Sequence, residues 1–429
     1  MLPPEPQMKT YRPRLVDDEL RDGLAALGAC AIEGARACGK TASARQVAAD
    51  EILLDVDREA RALAQVDPRL LLRSHTKTPL LIDEWQLEPD LWNVVRREID
   101  DRGERGQFIL TGSASLPRDD VRHAGSGRIA PIVMRPMSLF EQGWSSGALS
   151  LGALLAGTQD LESGHCELAL LDYVHRIVIG GWPGLLDATV ADARHFLESY
   201  LSTVVHHDMS AVSEVRHDPR RVRRFLLAYA QLSAHPVPLS SIIARAADTD
   251  DENPSPGRLA AAAYADALRR MWIIDDVEAW NVSLRSKARL GKTEKRHLVD
   301  PSLAASLMGC GPTRLVADLS TLGFLFESLV TRDVRVYANA SRASVYHYRE
   351  HEGHLEVDLI VERRDDGSWI GIEVKLGSQQ IDEAGVSLLK VCETRLGTPA
   401  SALLVVTAPD HAYRRPDGVY VVPLGMLGP

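Results

Sequence analysis

A glycine-rich segment near the N-terminus contains the residues with the clearest chemical purpose. The segment from Gly34 to Thr41 is GARACGKT, which fits the phosphate-binding pattern GxxxxGK(S/T). Glycines let the backbone curl so that its N–H groups face phosphate oxygens, while Lys40 would reach the β- and γ-phosphates and the Thr41 hydroxyl would bind Mg2+. An ordinary glycine-rich turn explains the glycines but not the adjacent Lys-Thr. The spacing predicts an ATP site formed by Gly34, Ala35, Arg36, Ala37, Cys38, Gly39, Lys40, Thr41 and Ala42.

Two acids follow the next strongly apolar run, PLLID at residues 79–83. Asp83 at the end of a buried strand is placed to hold Mg2+, directly or through water. Glu84 is placed to orient or deprotonate the water that attacks the γ-phosphate. A turn or helix start that simply favours acids is the alternative interpretation.

A further apolar run, residues 107–111, ends in a Thr-Gly-Ser turn. Ser113, or else Thr111, would place a hydroxyl beside the γ-phosphate and sense its presence. Arg128 follows a glycine-containing loop and is the candidate arginine finger, which would stabilise charge in the transition state. A plain turn and a surface arginine are the competing interpretations.

Three acids and a lysine form the other candidate site. Asp358 interrupts the apolar run LEVDLI, and Glu373 and Lys375 lie two residues apart in IEVK, so they share one face of a strand. Glu327 on the preceding helix is placed to join them. Converging carboxylates would hold Mg2+ for attack on a phosphodiester, with the lysine positioning or activating the water. A cross-strand salt bridge without catalysis is the alternative.

The elements that must position these residues define an α/β protein. Strands and helices alternate over the first third, which predicts a parallel sheet covered by helices, with a helix over residues 40–49 after the glycine-rich loop. Residues 138–308 are mainly helical in pattern. The last third predicts a helix at 315–331, four strands at 334–338, 344–348, 355–361 and 369–374, a helix at 382–392 and a strand at 401–407. We expect domains at residues 1–145, 146–311 and 312–429.

Composition narrows the class of protein. The chain has 429 residues, 45 % of them hydrophobic and 25 % charged, with a formal net charge of −10. A uniformly basic nucleic-acid coat is therefore excluded, although a local basic face is not. The five cysteines are scattered without zinc-site spacing, and no stretch approaches the length of a membrane span, so a cytoplasmic protein without membrane contact is expected. Oligomeric state stays open.

Two basic stretches are candidate contacts for nucleic-acid phosphates. A solvated helix face or a contact with the ATPase domain is the alternative for the first of them, and neither contains interleaved aromatic residues that would stack on bases. The first contains Arg216, Arg220, Arg221, Arg223 and Arg224, and the second is residues 285–296.

The chain resembles a bacterial and archaeal family of AAA-type P-loop ATPases fused to a C-terminal domain of unknown function. The resemblance implies an AAA-type ATPase with ATP and Mg2+, a helical middle with a winged-helix-like part, and a PD-(D/E)xK nuclease-like end. Family members usually have Arg-Asp where this chain has His207-Asp208, so no role is carried over for that arginine. The matching pieces are GARACGKT, LLIDE, residues 108–113, Gly127-Arg128, RPMS at 135–138, GGWP at 180–183, residues 200–208, KRHLVDP at 295–301, LGFLFE at 322–327, EVD at 356–358 and IEVK at 372–375.

Three functions remain open from the sequence. The first is a Mg2+-dependent ATPase that couples its nucleotide state to the nuclease-like domain, in contact with DNA or RNA. The second is a nucleotide-gated module that turns over little ATP and presents its C-terminal domain to a protein partner. The third is an ATP-dependent nuclease that uses Glu327, Asp358, Glu373 and Lys375.

Overall fold

The computed structural model describes residues 11–113, 125–161, 163–212, 217–247, 256–280, 293–350, 355–394 and 399–429. Contacts between residues divide this part of the chain into two compact units. The first contains described residues 11–32, 39–111 and 125–132, and the second contains the other described residues. Each unit is built around its own sheet.

The first unit contains a five-stranded sheet with the order β2-β3-β4-β1-β5, in which the pairs β2–β3 and β3–β4 are parallel. Strands β3 and β4 are mainly apolar and are buried along their whole length, as expected of central strands covered on both faces. The elements are α1 (Val16–Ala26), β1 (Ala29–Glu33), α2 (Lys40–Ala44), β2 (Asp50–Leu53), α3 (Arg58–Val66), α4 (Pro68–Ser74), β3 (Leu80–Asp83), α5 (Leu91–Arg102), β4 (Phe108–Gly112) and β5 (Ile129–Val133).

The second unit begins with short elements and a group of helices. A single π-helical turn, Val204–Asp208, follows α9 directly. The elements are α6 (Leu139–Gln142), β6 (Leu149–Ser150), α7 (Leu151–Leu155), β7 (Ser163–His165), α8 (Leu170–Ile179), α9 (Val190–Thr203), α10 (Met209–Val212), α11 (Pro219–Gln231), α12 (Leu239–Ala246), α13 (Arg258–Arg270) and α14 (Pro301–Leu307).

The rest of the second unit contains a seven-stranded sheet with the order β7-β12-β13-β11-β10-β9-β8. Strand β7, from the segment predicted to be the helical middle, pairs with β12 near the C-terminus. The elements are α15 (Pro312–Ala317), α16 (Leu319–Ala340), β8 (Ala343–Arg349), β9 (Glu356–Arg363), β10 (Trp369–Lys375), α17 (Ile381–Thr394), β11 (Ala402–Thr407), β12 (His411–Arg414), β13 (Tyr420–Pro423) and β14 (Leu427–Gly428).

Two sequence-based expectations about local structure are wrong. The strand predicted at 334–338 is the last part of α16, because Val330, Val334 and Tyr337 continue the helical spacing and are all buried on one face. The helix predicted at 40–49 ends at Ala44 and is followed by tight turns. In these turns the amides of Gln46 and Val47 each donate to the carbonyl oxygen three residues earlier.

A buried polar network in the second unit explains several of the sequence pieces that carry the resemblance. Asp300 accepts a hydrogen bond from the Gly181 amide at 2.9 Å and pairs with Arg332 of α16 at 2.9 Å. A Cβ at Gly181 would lie 2.3 Å from the Met137 carbonyl oxygen, so only glycine fits there. These pieces are therefore positioned to hold the unit together.

No helix within the described residues is long and apolar enough to cross a membrane.

Candidate functional site

The glycine-rich loop after β1 has the backbone expected of a phosphate-binding turn. Gly39 has φ of 106° and Ala37 has φ of 63°, both in the left-handed region that favours glycine. A Cβ at Gly34 would lie 2.1 Å from the Met134 carbonyl oxygen, and the Cys38 thiol donates to that same oxygen at 3.4 Å. The loop is therefore tightly curled, and its first and last glycines are required by space and by backbone angle respectively.

Three side chains of the first unit meet where this loop enters α2. The Thr41 hydroxyl donates to the two carboxylate oxygens of Asp83 at 3.0 and 3.1 Å. Thr111, directly opposite Asp83 in the parallel β3–β4 register, donates a short hydrogen bond to the same carboxylate. The structure thus brings the predicted magnesium ligands together and adds Thr111 as the residue that orients Asp83.

Lys40 and Asp83 are 6 % and 8 % exposed, so the charged groups of this site are withdrawn from bulk water. Electrostatic interactions with a ligand are stronger in such a place than on the surface. A hydroxyl and a carboxylate in contact are oxygen donors of the kind that Mg2+ prefers. The residues present therefore fit a magnesium–triphosphate group.

Glu84 lies immediately after β3 and has φ of 51°, an uncommon backbone angle for a residue with a side chain. Its carboxylate accepts a hydrogen bond from the Gln86 amide. Such left-handed residues cluster at functional sites. Ser113 follows β4 directly, one residue beyond Gly112, and its role as a sensor stays a prediction.

Arg128 does not lie at the phosphate end of the sheet. Its backbone carbonyl accepts from the amide of Ala29, the first residue of β1, whereas the phosphate-binding loop follows the last residue of that strand. A strand of this length spans about 16 Å. The Arg128 guanidinium pairs with Asp100 at 2.8 Å and lowers the pKa of that carboxyl. Within one chain, Arg128 is thus not placed to act as the finger.

Sequence reasoning missed an ion pair at the tip of the loop. Arg36 donates to Asp208 at 3.0 and 3.2 Å, and Asp208 is the last residue of the π-helical turn. Both residues belong to the second unit. π-Helical turns are frequent at functional sites. The only indication of this ion pair in the sequence was that the HHD segment, residues 206–208, lies in one of the pieces that carry the family resemblance.

The second candidate site does form in the second unit, at the adjoining strands β9 and β10. Asp358 accepts from the Val374 amide at 2.8 Å, and Lys375 lies 2.7 Å from Glu373 and 3.9 Å from Asp358. Glu327 approaches from α16. All four predicted residues therefore converge.

A fifth residue, Lys295, was not predicted there. Its ammonium forms a short ion pair with Glu327 and lies 2.8 Å from Asp358, and the side chain is 1 % exposed. In the sequence this lysine lies at the end of a basic, hydrophilic stretch, so nothing local indicates its burial among acids.

The charges of this cluster shift one another. Burial raises the pKa of Glu327 to about 8, with the negative charge of Asp358 adding to the effect and Lys295 opposing it. Burial likewise raises the pKa of Glu373 well above its usual range, again with help from Asp358. Burial would also raise the pKa of Asp358, but Lys295 and Lys375 outweigh it and lower that pKa to about 2.

The predicted basic contacts are only partly described. Arg216 and residues 285–292 lie outside the described residues, while the arginines at 220, 221, 223 and 224 lie on α11. Arg221 is within 3.7 Å of Asp218. His206 and His207 lie in the π-helical turn, where the ring of His206 contacts the Ser202 carbonyl at 2.9 Å.

The first unit belongs to a recognisable structural class. A largely parallel sheet, a curled glycine loop after β1 and an acid at the end of β3 define a P-loop nucleotide-binding domain. A family model described as an AAA domain matches residues 28–142. This part of the chain accordingly has the fold of an AAA-type P-loop domain.

Comparisons for the rest of the chain give less chemical information. Residues 170–314 and 322–427 match two further family models, each described as a domain of unknown function. Neither description mentions a winged helix or a nuclease, so those two expectations stay predictions.

Relatives exist in mycobacteria. The chain is 24 % identical over 403 residues to uncharacterised proteins of Mycobacterium bovis and Mycobacterium tuberculosis, covering 92 % of this chain and 80 % of each relative. Among solved structures, a Walker-type ATPase of Pyrococcus abyssi is similar at 16 % identity over 72 % of this chain and 99 % of its own, with a TM-score of 0.41. A signal transduction ATPase with numerous domains from Pyrococcus horikoshii has 13 % identity, coverage of 78 % and 48 %, and a TM-score of 0.27.

Proposed function

We propose that this protein is a Mg2+-dependent ATPase whose nucleotide state is coupled to its second unit. The observation that carries the proposal is the contact of Thr41 with Asp83 beside the buried Lys40. These three residues supply a hydroxyl, a carboxylate and an ammonium at the end of a curled glycine loop. Together such groups bind a triphosphate and its divalent ion.

Each residue has a specific task in this account. The loop amides and Lys40 bind and orient the phosphates, and Thr41 and Asp83 would hold Mg2+, which when bound neutralises charge on the β- and γ-phosphates. Thr111 fixes the orientation of the Asp83 carboxylate through its hydrogen bond. Glu84 accepts a proton from the attacking water or orients it.

The coupling rests on Arg36, which belongs to the phosphate-binding loop yet pairs with Asp208 in the helical part of the second unit. A guanidinium at this position has two candidate partners, a triphosphate and the Asp208 carboxylate. We propose that ATP competes with Asp208 for Arg36 and so changes the constraint on the π-helical turn. The downstream partner is a nucleic acid, contacted by the arginines of α11; a protein partner is the alternative.

Turnover distinguishes this ATPase from a nucleotide-gated module. We expect Glu84→Gln to bind ATP as tightly as wild type and to lose hydrolysis by about a hundredfold or more. Glu88→Gln, which removes a nearby acid that pairs with Arg61, is the matched control and should keep wild-type turnover. If wild-type protein hydrolyses no ATP, alone or with DNA or RNA, the static module is the better account.

The nuclease alternative has its own test. Metal-dependent cleavage of DNA or RNA that disappears in both Asp358→Ala and Lys375→Ala would support it. Activity that survives both changes would exclude those residues. The position of Lys295 among these acids argues against this alternative.

A further inference from the structure

Lys295 lies where a divalent ion would have to lie to use the acids of the second site. Its ammonium bridges Glu327 on α16 and Asp358 on β9, with Glu356 at 3.8 Å. Its burial is nearly complete. An ammonium buried to this degree is stable only when acids surround it, and here they do.

The backbone holds this lysine in position. Lys295 and Val277 exchange two backbone hydrogen bonds of 2.9 Å, one in each direction, and Lys295 also bridges to Pro236. On either side, Glu294 and Arg296 pair with one another at 2.7 Å, and His297 contacts Ser328 at 3.2 Å. The backbone of Lys295 is therefore held in ordered structure, at a position from which the ammonium reaches the acids.

Charge disfavours an arrangement in which an ammonium and a metal ion share these acids at close range. Mg2+ binds oxygens at about 2.0–2.1 Å and needs about six ligands around it. The Asp358 oxygen that such an ion would use is 2.8 Å from the Lys295 nitrogen, and its other oxygen accepts from the Val374 amide. An ion bound to the same oxygen would lie about 4–5 Å from the ammonium nitrogen, and two positive groups at that distance repel each other strongly inside the protein.

The charges are already nearly balanced without a metal. Lys295 pairs with Asp358 and Glu327, and Lys375 pairs with Glu373. Two ammonium groups thus face four carboxyl groups when Glu356 is included, and burial raises the pKa of two of these, Glu327 and Glu373. The carboxylate oxygens alone would suit a divalent ion, whereas the same oxygens with the Lys295 ammonium among them do not.

We propose that the Lys295 ammonium is the resident cation of this carboxylate cluster and takes the place of a divalent ion. The nuclease-like end of the chain consequently holds its acids together without metal. This inference concerns the second unit only and does not depend on ATP hydrolysis at the P-loop.

Manganese binding to the full-length, nucleotide-free protein tests the proposal. Mn2+ titrations followed by electron paramagnetic resonance would compare wild type, Asp358→Asn, Lys295→Met and Lys295→Met/Asp358→Asn. We expect wild type and Asp358→Asn to bind equal amounts of Mn2+. Lys295→Met should gain one site per chain, and the double variant should lose it. Lys390→Met, at an exposed lysine of α17, is the matched control and should gain no site.

Two results would overturn the proposal. One is a Mn2+ site in wild type that Asp358→Asn removes, because metal and ammonium would then coexist. The other is a folded Lys295→Met protein that gains no site. Circular dichroism checks folding, and Lys295→Gln replaces Lys295→Met if that variant is unfolded. If neither Lys295 variant folds, the proposal is tested by wild type and Asp358→Asn alone, which should bind equal amounts of Mn2+.

Discussion

The hydroxyl of Thr41 donates to both carboxylate oxygens of Asp83, at 3.0 and 3.1 Å. The two residues are 42 positions apart in the sequence, yet each can be predicted from the short motif in which it lies. Their contact links the start of α2 to the end of β3 and defines the position at which Mg2+ would be held.

Thr41→Ala should weaken binding of ATP in the presence of Mg2+ by about tenfold or more, because one of the two oxygen ligands is lost. Thr41→Ser keeps the hydroxyl and should bind within about twofold of wild type. Isothermal titration calorimetry with ATP in Mg2+ and in EDTA checks this. If the loss in Thr41→Ala is equally large in EDTA, the threonine acts on the nucleotide rather than on the metal.

Gly34→Ala should destabilise the protein, since its Cβ would lie 2.1 Å from a backbone carbonyl that cannot move freely. The expected cost is about 1–3 kcal/mol, seen as a thermal midpoint several degrees lower. Gly184→Ala is the control, because nothing lies within 4 Å of a Cβ at that glycine. An unchanged midpoint in Gly34→Ala would mean that the loop is not packed as described.

Asp208→Asn should raise the affinity for ATP by about twofold to fivefold, because Arg36 is released to contact phosphate. The midpoint of thermal unfolding should hardly change, as an ion pair with a half-exposed arginine contributes only ~0–1 kcal/mol. Glu198→Gln removes an exposed ion pair with Arg194 on α9 and is the matched control for binding. A lower ATP affinity in Asp208→Asn would show that the pair supports the binding conformation instead of competing with it.

Stability of the second unit should fall as pH rises, because of Glu327. The folded pKa of about 8 lies above the ordinary value of about 4.3, so the folded state holds the proton more tightly. The stabilisation is full below about pH 4 and is lost as pH rises towards the folded pKa.

Glu327→Gln should accordingly reduce the loss of stability between about pH 6 and pH 9 by roughly 1–3 kcal/mol. Urea unfolding followed by tryptophan fluorescence at the two pH values measures the difference. Glu383→Gln, at an exposed position on α17, should leave the wild-type pH dependence unchanged. An identical pH dependence in Glu327→Gln and wild type would contradict the assignment.

The first site could be predicted from the sequence because its information is local. The GARACGKT loop, the PLLID strand and the Thr-Gly-Ser turn each have a short pattern, and parallel strands bring their carboxyl ends to one edge of a sheet. The position of Arg128 could not be predicted in the same way, because no rule places an arginine that follows a glycine loop; its carbonyl pairs at the opposite end of β1, away from the phosphate-binding loop of its own chain.

The second site could be predicted only in part. The strand positions of Asp358, Glu373 and Lys375 follow from the period of two, and these residues do meet. Lys295 could not be predicted, because its partners are 32 and 63 residues away and its neighbours at 285–296 are hydrophilic. Tertiary packing brings the lysine to these acids, and the local sequence pattern does not predict such packing.

Nucleotide affinity of a Lys40→Ala variant tests the central claim most directly. Calorimetric titration of ATP with Mg2+ into wild type, Lys40→Ala and the control Lys77→Ala, an exposed lysine before β3, compares the three proteins under one condition. The account predicts a loss of about tenfold or more in Lys40→Ala and none in Lys77→Ala. Undiminished affinity in Lys40→Ala would mean that the glycine loop does not hold the triphosphate.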